Sequence, residues 1–240
     1  MFFPTNTLLA LFLLSLFATL AYGAKKIDGI GAFTGVCIGM GMFLGGGFVL
    51  LNLLLVFFAL GTLASMWKRR EKQQLGLEQE AGGKRSFRHA FSNGGVAGIC
   101  GMLAWMMPGQ TETFLLMMAA SLSAALGDTF SSELGNVYGK RFVNVLGFTP
   151  DQRGKDGVIS LEGSLLGVAG SLIMALFASL YPFSMSAVLL IFLAGILGNL
   201  VDSLLGATLQ QQGLLTNDLV NIGCTLSAAF IAGLGWLFVE

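Results

Sequence analysis

The sequence predicts an all-α fold, a polytopic integral membrane bundle of about eight transmembrane helices. Of the 240 residues, 55% are hydrophobic and only 11% are charged, and the mean hydropathy is +0.78. The apolar residues fall in long runs separated by short polar segments, and most runs approach the roughly 20 residues that a helix needs to cross a bilayer. We interpret residues 1–240 as a single transmembrane domain.

The predicted spans follow from the positions of these runs. Residues 5–22 form a first helix. A signal peptide typically has Lys or Arg before its apolar run, and none precedes this one, so we expect the helix to be retained. Residues 29–66 are too long for one crossing, and we predict a break at the Gly45-Gly46-Gly47 run that gives two helices. The remaining spans are predicted at 93–108, 112–138, 161–181, 185–206 and 219–239.

Basic residues set the predicted orientation. All 13 Lys and Arg residues follow the first, third and fifth predicted helices. The positive-inside rule therefore places these loops in the cytoplasm and the N-terminus outside. The larger cytoplasmic loops are then about 67–92, 139–160 and 207–218, and the protein is predicted to be multi-pass, in the inner membrane if the cell is bacterial.

Charge and residue usage exclude several classes of function. The formal net charge is zero, which gives no reason to expect a nucleic-acid partner. The three cysteines are isolated within apolar spans, so neither disulfides nor a zinc site are expected. His89 is the only histidine, which argues against a histidine-based triad. Gly31, Gly35 and Gly39 predict close helix packing, either within the chain or in a homodimer.

Two predicted spans carry carboxylates near their inner ends. Asp128 lies about 24 Å along the fifth helix and Asp202 about 25 Å along the seventh, so both fall in the inner third of a hydrocarbon core roughly 30 Å thick. Because a charge in hydrocarbon is unfavourable by a few kcal/mol, such residues indicate function. Asn93 and Glu162 open the fourth and sixth spans at the same level. Four spans are therefore expected to present polar groups at one depth.

Helical spacing indicates which neighbours share a face with these acids. Glu133 lies about 140° round the helix from Asp128, so the two carboxylates meet at one site only if the helix ends there. The residues that share a face with Asp128 are Ser131, Ser132 and Gly135, and those that share a face with Asp202 are Asn199, Ser203 and Gly206.

A basic, glycine-containing loop joins the fifth and sixth predicted helices. It includes the run from Gln152 to Gly157 and ends at Ser160, which is placed to cap the next helix. Glycines allow backbone N–H groups to turn toward an anion, and Lys and Arg complement phosphate charge. With acids opposite, the loop predicts a nucleotide-phosphate site in which Mg2+ bridges carboxylates and phosphates. An ordinary solvated loop that follows the positive-inside rule is the alternative for the basic residues alone.

Four segments of the chain resemble, in order, the signatures of the phytyl-phosphate kinase family, which includes transmembrane protein 19 and is also described as the integral membrane domain of unknown function 92. The element from Ser160 to Ser164 is also similar to one in the CTP-dependent dolichol and phytol kinases, and phosphatidate cytidylyltransferase has a comparable arrangement. The four segments are 91–95, 127–135, 154–160 and 202–210.

This resemblance implies a CTP-dependent kinase at the cytoplasmic face, which converts a membrane isoprenyl monophosphate of the phytyl, geranylgeranyl or polyprenyl type to the diphosphate. It implies that Asp128, Glu133 and Asp202 are the catalytic and Mg2+-binding residues. Two alternatives stay open: a lipid-phosphate cytidylyltransferase that forms a CDP-lipid, and an ion- or proton-coupled transporter, since intramembrane acids also mark ion paths. The implied nucleotide and phosphate contacts are Asn93, Lys140, Arg141, Arg153, Gly154, Lys155, Asp156, Gly157, Ser160 and Glu162.

Overall fold

The computed structural model describes residues 6–77 and 86–239 and has the helical membrane architecture that the sequence predicts. Lys84 and Arg85 of the second predicted basic loop lie outside the described residues. The helices are α1 (Thr7–Gly23), α2 (Gly29–Met66), α3 (Arg69–Gln74), α4 (Phe87–Met106), α5 (Thr111–Glu133), α6 (Gly135–Tyr138), α7 (Leu161–Ala178), α8 (Met185–Leu205) and α9 (Asn217–Trp236). Two short strands, β1 (Phe142–Asn144) and β2 (Val158–Ser160), lie between α6 and α7.

α2 is a helical hairpin that folds back at Gly47. This residue has φ 62° and ψ −163°, which interrupts the helix. Lys26 Nζ donates to Met66 Sδ at 3.0 Å, although a straight helix of 38 residues would separate its ends by about 57 Å. The break therefore falls within the glycine run where the sequence predicts it. With the two arms counted separately, the described ranges contain eight long helical segments.

The membrane character of these helices follows from their length and composition. Among the described residues, five helices are long and apolar enough to cross a bilayer, with the hairpin α2 counted as one. α1 is apolar but shorter, at 17 residues. The orientation of the bundle in the membrane stays a prediction.

α5 is the central helix of the bundle and packs against α4, α7, α8 and α9. Small residues bring α5 and α7 close together: a Cβ added at Gly170 would lie 2.8 Å from the carbonyl oxygen of Leu126. Ser123 and Ser171 reinforce this contact, since each hydroxyl donates to the other's backbone carbonyl, at 3.2 and 3.3 Å. Small side chains at an interface are the usual way to pack helices closely within a membrane.

The segment between α5 and α7 contains a β-hairpin that the sequence analysis did not predict. Phe142 pairs with Ser160, and Asn144 pairs with Val158, in antiparallel register. β2 leads directly into α7, and the hydroxyl of Ser160 accepts the backbone N–H of Gly163 at 3.1 Å. Ser160 therefore caps α7, as expected from its position before the apolar run.

The segments that follow α2 and α5 meet at one end of the bundle. Trp67 Nε1, just after α2, donates to the hydroxyl of Tyr138 at 2.8 Å. Lys72, on α3, reaches Glu133 at the end of α5. The contact between Lys26 and Met66 brings the α1–α2 connection to the same end. Within the described residues, parts of three basic segments therefore lie at the same end of the bundle.

Candidate active site

A cavity of about 280 Å³ lies where α5, α7, α8 and the segment between the two strands meet. Its polar lining comes from four separate parts of the chain. α5 contributes Asp128, Ser131 and Ser132, α8 contributes Asn199, Asp202 and Ser203, the inter-strand segment contributes Gly154, Lys155, Asp156 and Gly157, and the start of α7 contributes Ser160, Gly163 and Ser164.

The two helical faces that carry the acids both line this cavity. Every residue that the spacing places beside Asp128 or Asp202, the two glycines included, belongs to the lining. Ser131 Oγ also donates to Asn199 Oδ1 at 3.1 Å and so joins α5 to α8 directly. This contact holds the two acid-bearing faces toward each other.

Asp128 and Asp202 form a carboxyl pair, since both side chains line the cavity and interact with each other. Asp202 Oδ1 is buried and has no hydrogen-bond partner among the residues that the structure describes. Two ionised carboxylates are both acceptors and cannot satisfy one another. A buried carboxylate oxygen without a partner, beside a second carboxylate, therefore fits a hard divalent cation, which takes oxygen ligands.

The number of acids at this position favours a particular kind of metal site. Over residues 6–77 and 86–239, no group of three or more His, Cys, Asp and Glu side chains is arranged to hold a metal ion. A pair of carboxylates is the protein contribution typical of Mg2+ sites that complete their coordination with water and substrate phosphates. Two carboxylates are thus a donor set that fits Mg2+.

The inter-strand segment is held against the end of α8 by close backbone contacts. Gly157 has φ +69°, and a Cβ there would lie 2.3 Å from the backbone nitrogen of Ala207. Gln211 Nε2 donates to the carbonyl oxygen of Asp156 at 2.6 Å. Partial burial raises the pKa of the Asp156 carboxyl. The segment therefore has a defined position beside the cavity.

Lys155 is the lysine that lines the cavity. Its Nζ lies 3.1 Å from Asp151 Oδ2, and the Lys155 side chain is 47% exposed. The backbone N–H of Gln152, and then Lys155 itself, hold the pKa of Asp151 below its usual range. Exposed ion pairs contribute only about 0–1 kcal/mol, so a phosphate in the cavity can compete with Asp151 for Lys155.

Replacing Gly157 with Ala is expected to displace the inter-strand segment. The substitution combines a left-handed φ with a clash against the Ala207 backbone, and the φ alone is unfavourable by about 1 kcal/mol for a residue with a Cβ. If the segment holds the phosphates of a nucleotide, as the sequence predicts, CTP affinity measured by equilibrium binding should fall at least tenfold. Gly213→Ala is the matched control, because Gly213 has φ +74° but open space around it. Equal losses in both variants would contradict this role for Gly157.

Several of the predicted site residues lie outside the cavity lining. Asn93 is buried on α4, and its Nδ2 donates to the carbonyl of His89 at 3.1 Å and to Ser92 Oγ at 3.2 Å. Glu162 Oε2 accepts the backbone N–H of Lys140 at 3.3 Å and so ties the start of α7 to the chain before β1. The structure therefore does not place Asn93, Lys140 or Glu162 in the lining that contains Asp128 and Asp202.

The two predicted arginines, Arg141 and Arg153, are not part of the cavity lining. The guanidinium carbon of Arg153 is 5.7 Å from the ring centre of Phe142, which is a lining residue. Arg153 Nε has no hydrogen-bond partner within the described part of the chain. Arg141 is exposed.

Glu133, the third predicted acid, is engaged by a residue that the sequence analysis did not single out. Lys72 Nζ lies 2.5 Å from Glu133 Oε2, with the two side chains 2% and 6% exposed. The same ammonium donates to the carbonyls of Ala64 and Ser65, at 3.1 and 2.9 Å. Glu133 is not part of the cavity lining. In this structure it joins the end of α5 to the end of α2.

Further polar residues of the lining were missed because they lie at helix ends and in connections. Asn136 is on the short helix α6, Gln210 is in the π-helical turn that follows α8, and Asn217 opens α9. A signal for Gln210 was present, since it ends the fourth segment of the family resemblance. The other two carried no pattern that distinguishes them from ordinary loop residues.

Comparison with known proteins gives a family and several relatives. The chain matches the family model described as integral membrane protein DUF92 over residues 12–229. It is 34% identical to an uncharacterized membrane protein of Methanocaldococcus jannaschii, over 77% of this chain and 75% of that protein. It is 30% identical to the chloroplastic protein VTE6 of Arabidopsis thaliana, over 71% of this chain and 53% of that protein. Protein PGR of the same plant is 28% identical, over 85% of this chain and 79% of that protein. No solved structure matches the chain.

Proposed function

We propose that this chain, which belongs to the DUF92 family of integral membrane proteins, is a kinase that transfers a phosphoryl group from CTP to a membrane isoprenyl monophosphate. The family match confirms the family that the sequence motifs indicated. The observation that carries the proposal is the cavity, because it joins a half-buried carboxyl pair to a glycine-containing basic segment inside a membrane bundle.

The polar end of the cavity supplies contacts suited to phosphate groups. Gly154 and Gly157 allow the backbone between them to turn beside the cavity, and Lys155 adds a positive charge. Ser160 caps α7, whose N-terminus favours anions. These groups are placed to hold the triphosphate of the donor and the phosphate of the acceptor.

Asp128 and Asp202 are the residues that would hold Mg2+, which when bound neutralises charge on the phosphate oxygens. The remaining requirement of phosphoryl transfer is positioning. An oxygen of the acceptor phosphate attacks the γ-phosphorus, the bond from that phosphorus to the β-bridging oxygen breaks, and CDP leaves. The acceptor phosphate is already ionised near neutral pH, so no side chain has to remove a proton from it.

The purified protein, assayed in detergent with Mg2+, CTP labelled at the γ-phosphate and isoprenyl monophosphates of several lengths, is expected to transfer label to a lipid diphosphate. Thin-layer chromatography separates the products. The matched reaction with EDTA should give no labelled lipid. Label released as pyrophosphate, with a CDP-lipid formed, would instead identify a cytidylyltransferase. No turnover with any acceptor would contradict both enzyme activities and favour transport.

A further inference from the structure

The cavity has an apolar side as well as a polar one. Val168 on α7 and Ile196 and Leu200 on α8 belong to its lining. Val168 lies one helical turn beyond Ser164, and Ile196 lies one turn beyond Leu200, in each case away from the polar segment between the strands. The lining therefore changes from charged to apolar with depth.

This apolar side is continuous with the outer surface of the bundle. α8 carries an exposed leucine stripe at three- or four-residue spacing, and α7 carries a similar stripe. In a membrane protein such stripes face lipid. Leu200 belongs to both the cavity lining and the α8 stripe, and it is 44% exposed. The α8 stripe comprises Leu189, Leu193, Leu197, Leu200 and Leu204, and the α7 stripe comprises Leu161, Leu165, Leu172 and Leu176.

Helical geometry shows that no wall separates the two surfaces on α8. At 100° per residue, Ile196 lies about 40° round the helix from Leu200, and Ser203 lies about 60° round on the same side. Asn199 follows at about 100° and Asp202 at about 160°. A path around α8 therefore passes from the lipid-facing Leu200 to the apolar Ile196 and then, past polar residues, to Asp202.

We propose that the seam between α7 and α8, marked by Val168, Ile196 and Leu200, is a lateral portal for the hydrocarbon chain of the lipid substrate. The chain lies in this seam and extends into the bilayer, while its phosphate reaches Lys155 and the carboxyl pair. This inference rests on the proposed function, which identifies the hydrocarbon chain of the substrate as an isoprenoid. It makes Leu200 and Ile196 residues that determine chain preference.

Kinetics with acceptors of two lengths test the portal. Leu200→Trp adds bulk at an exposed position, so we expect it to fold. It should raise KM for geranylgeranyl monophosphate by roughly tenfold and KM for the five-carbon isopentenyl monophosphate by a much smaller factor. Leu193→Trp is the matched control, since Leu193 is also 44% exposed on α8 but does not line the cavity. Equal effects of the two variants, or an equal effect on both acceptors, would overturn the proposal.

A second measurement does not depend on turnover. Geranylgeranyl monophosphate with a diazirine at the end of its chain is photolysed with the protein in vesicles, and the labelled peptides are identified by mass spectrometry. We expect labelling of α7 and α8 that Leu200→Trp reduces and Leu193→Trp does not. Labelling confined to other helices, or none, overturns the portal even if the kinase assay succeeds. Labelling at the seam without phosphoryl transfer supports the portal and contradicts the kinase.

Discussion

Asp128→Asn and Asp202→Asn are each expected to lower kcat by at least about 1000-fold. Each substitution removes one of the two carboxylates that face the cavity while keeping the size of the side chain. The variants should still insert and fold, because an Asn amide can donate a hydrogen bond to the remaining carboxylate. Purified variants are compared by the labelled-CTP assay at several Mg2+ concentrations, with size-exclusion chromatography to verify folding.

The double variant separates a joint role from two independent roles. If both carboxylates hold one cation, Asp128→Asn with Asp202→Asn should be no less active than either single variant, because residues that act as a unit are not additive. Asp218→Asn is the matched control: Asp218 is in the first turn of α9 and does not line the cavity. Wild-type turnover in a folded Asp128 or Asp202 variant would refute the assignment of these residues as ligands.

The sequence was most informative where regular helical geometry determines position. The spacing of polar residues around Asp128 and Asp202 identified two faces, and both faces line the cavity. The run from Gly45 to Gly47 predicted the break in α2, because few residues other than glycine adopt the φ found at Gly47. In each case the prediction depends only on residues that are close in sequence, so the regular geometry of a single helix is sufficient to make it.

Contacts between segments that are distant in sequence were not predictable in this way. Counting residues placed Asn93 at the start of its predicted span, but α4 begins at Phe87, and the count could not indicate which neighbour Asn93 faces. The structure buries this part of α4 against α9, where Thr225 Oγ1 donates to the carbonyl of Ser92 at 3.3 Å. The strands β1 and β2 are only three residues long, too short for an alternating pattern to be recognised.

Glu133 shows how geometry and family resemblance can disagree. Its offset of about 140° from Asp128 allowed a shared site only if the helix ended there, whereas the resemblance implied a third metal ligand. α5 does end at Glu133, but the side chain does not join the cavity lining. The structure directs Glu133 to Lys72, whose charge had been interpreted only through the positive-inside rule. The pairing depends on α3 placing Lys72 between the ends of α2 and α5, and the sequence of neither segment indicates this by itself. Whether Glu133 also binds metal stays a prediction that the next variants test.

Lys72→Met alone is expected to destabilise the protein by about 3–5 kcal/mol, because it leaves the buried Glu133 carboxylate without its partner. Adding Glu133→Leu should restore most of this stability, since an apolar pair of similar volume tolerates burial. A deficit of about 1 kcal/mol should remain, because Lys72 also donates to the carbonyls that end α2. Thermal unfolding in detergent measures these differences for the single and double variants.

The activity of the stable double variant then decides the role of Glu133. Because Glu133 Oε2 is bonded to Lys72 and Glu133 does not line the cavity, we expect Lys72→Met with Glu133→Leu to retain kcat within about threefold of wild type. A double variant that is stable but inactive would instead restore Glu133 to the ligand set. Stability and turnover must be measured together, since the single Lys72 variant loses activity through unfolding in either case.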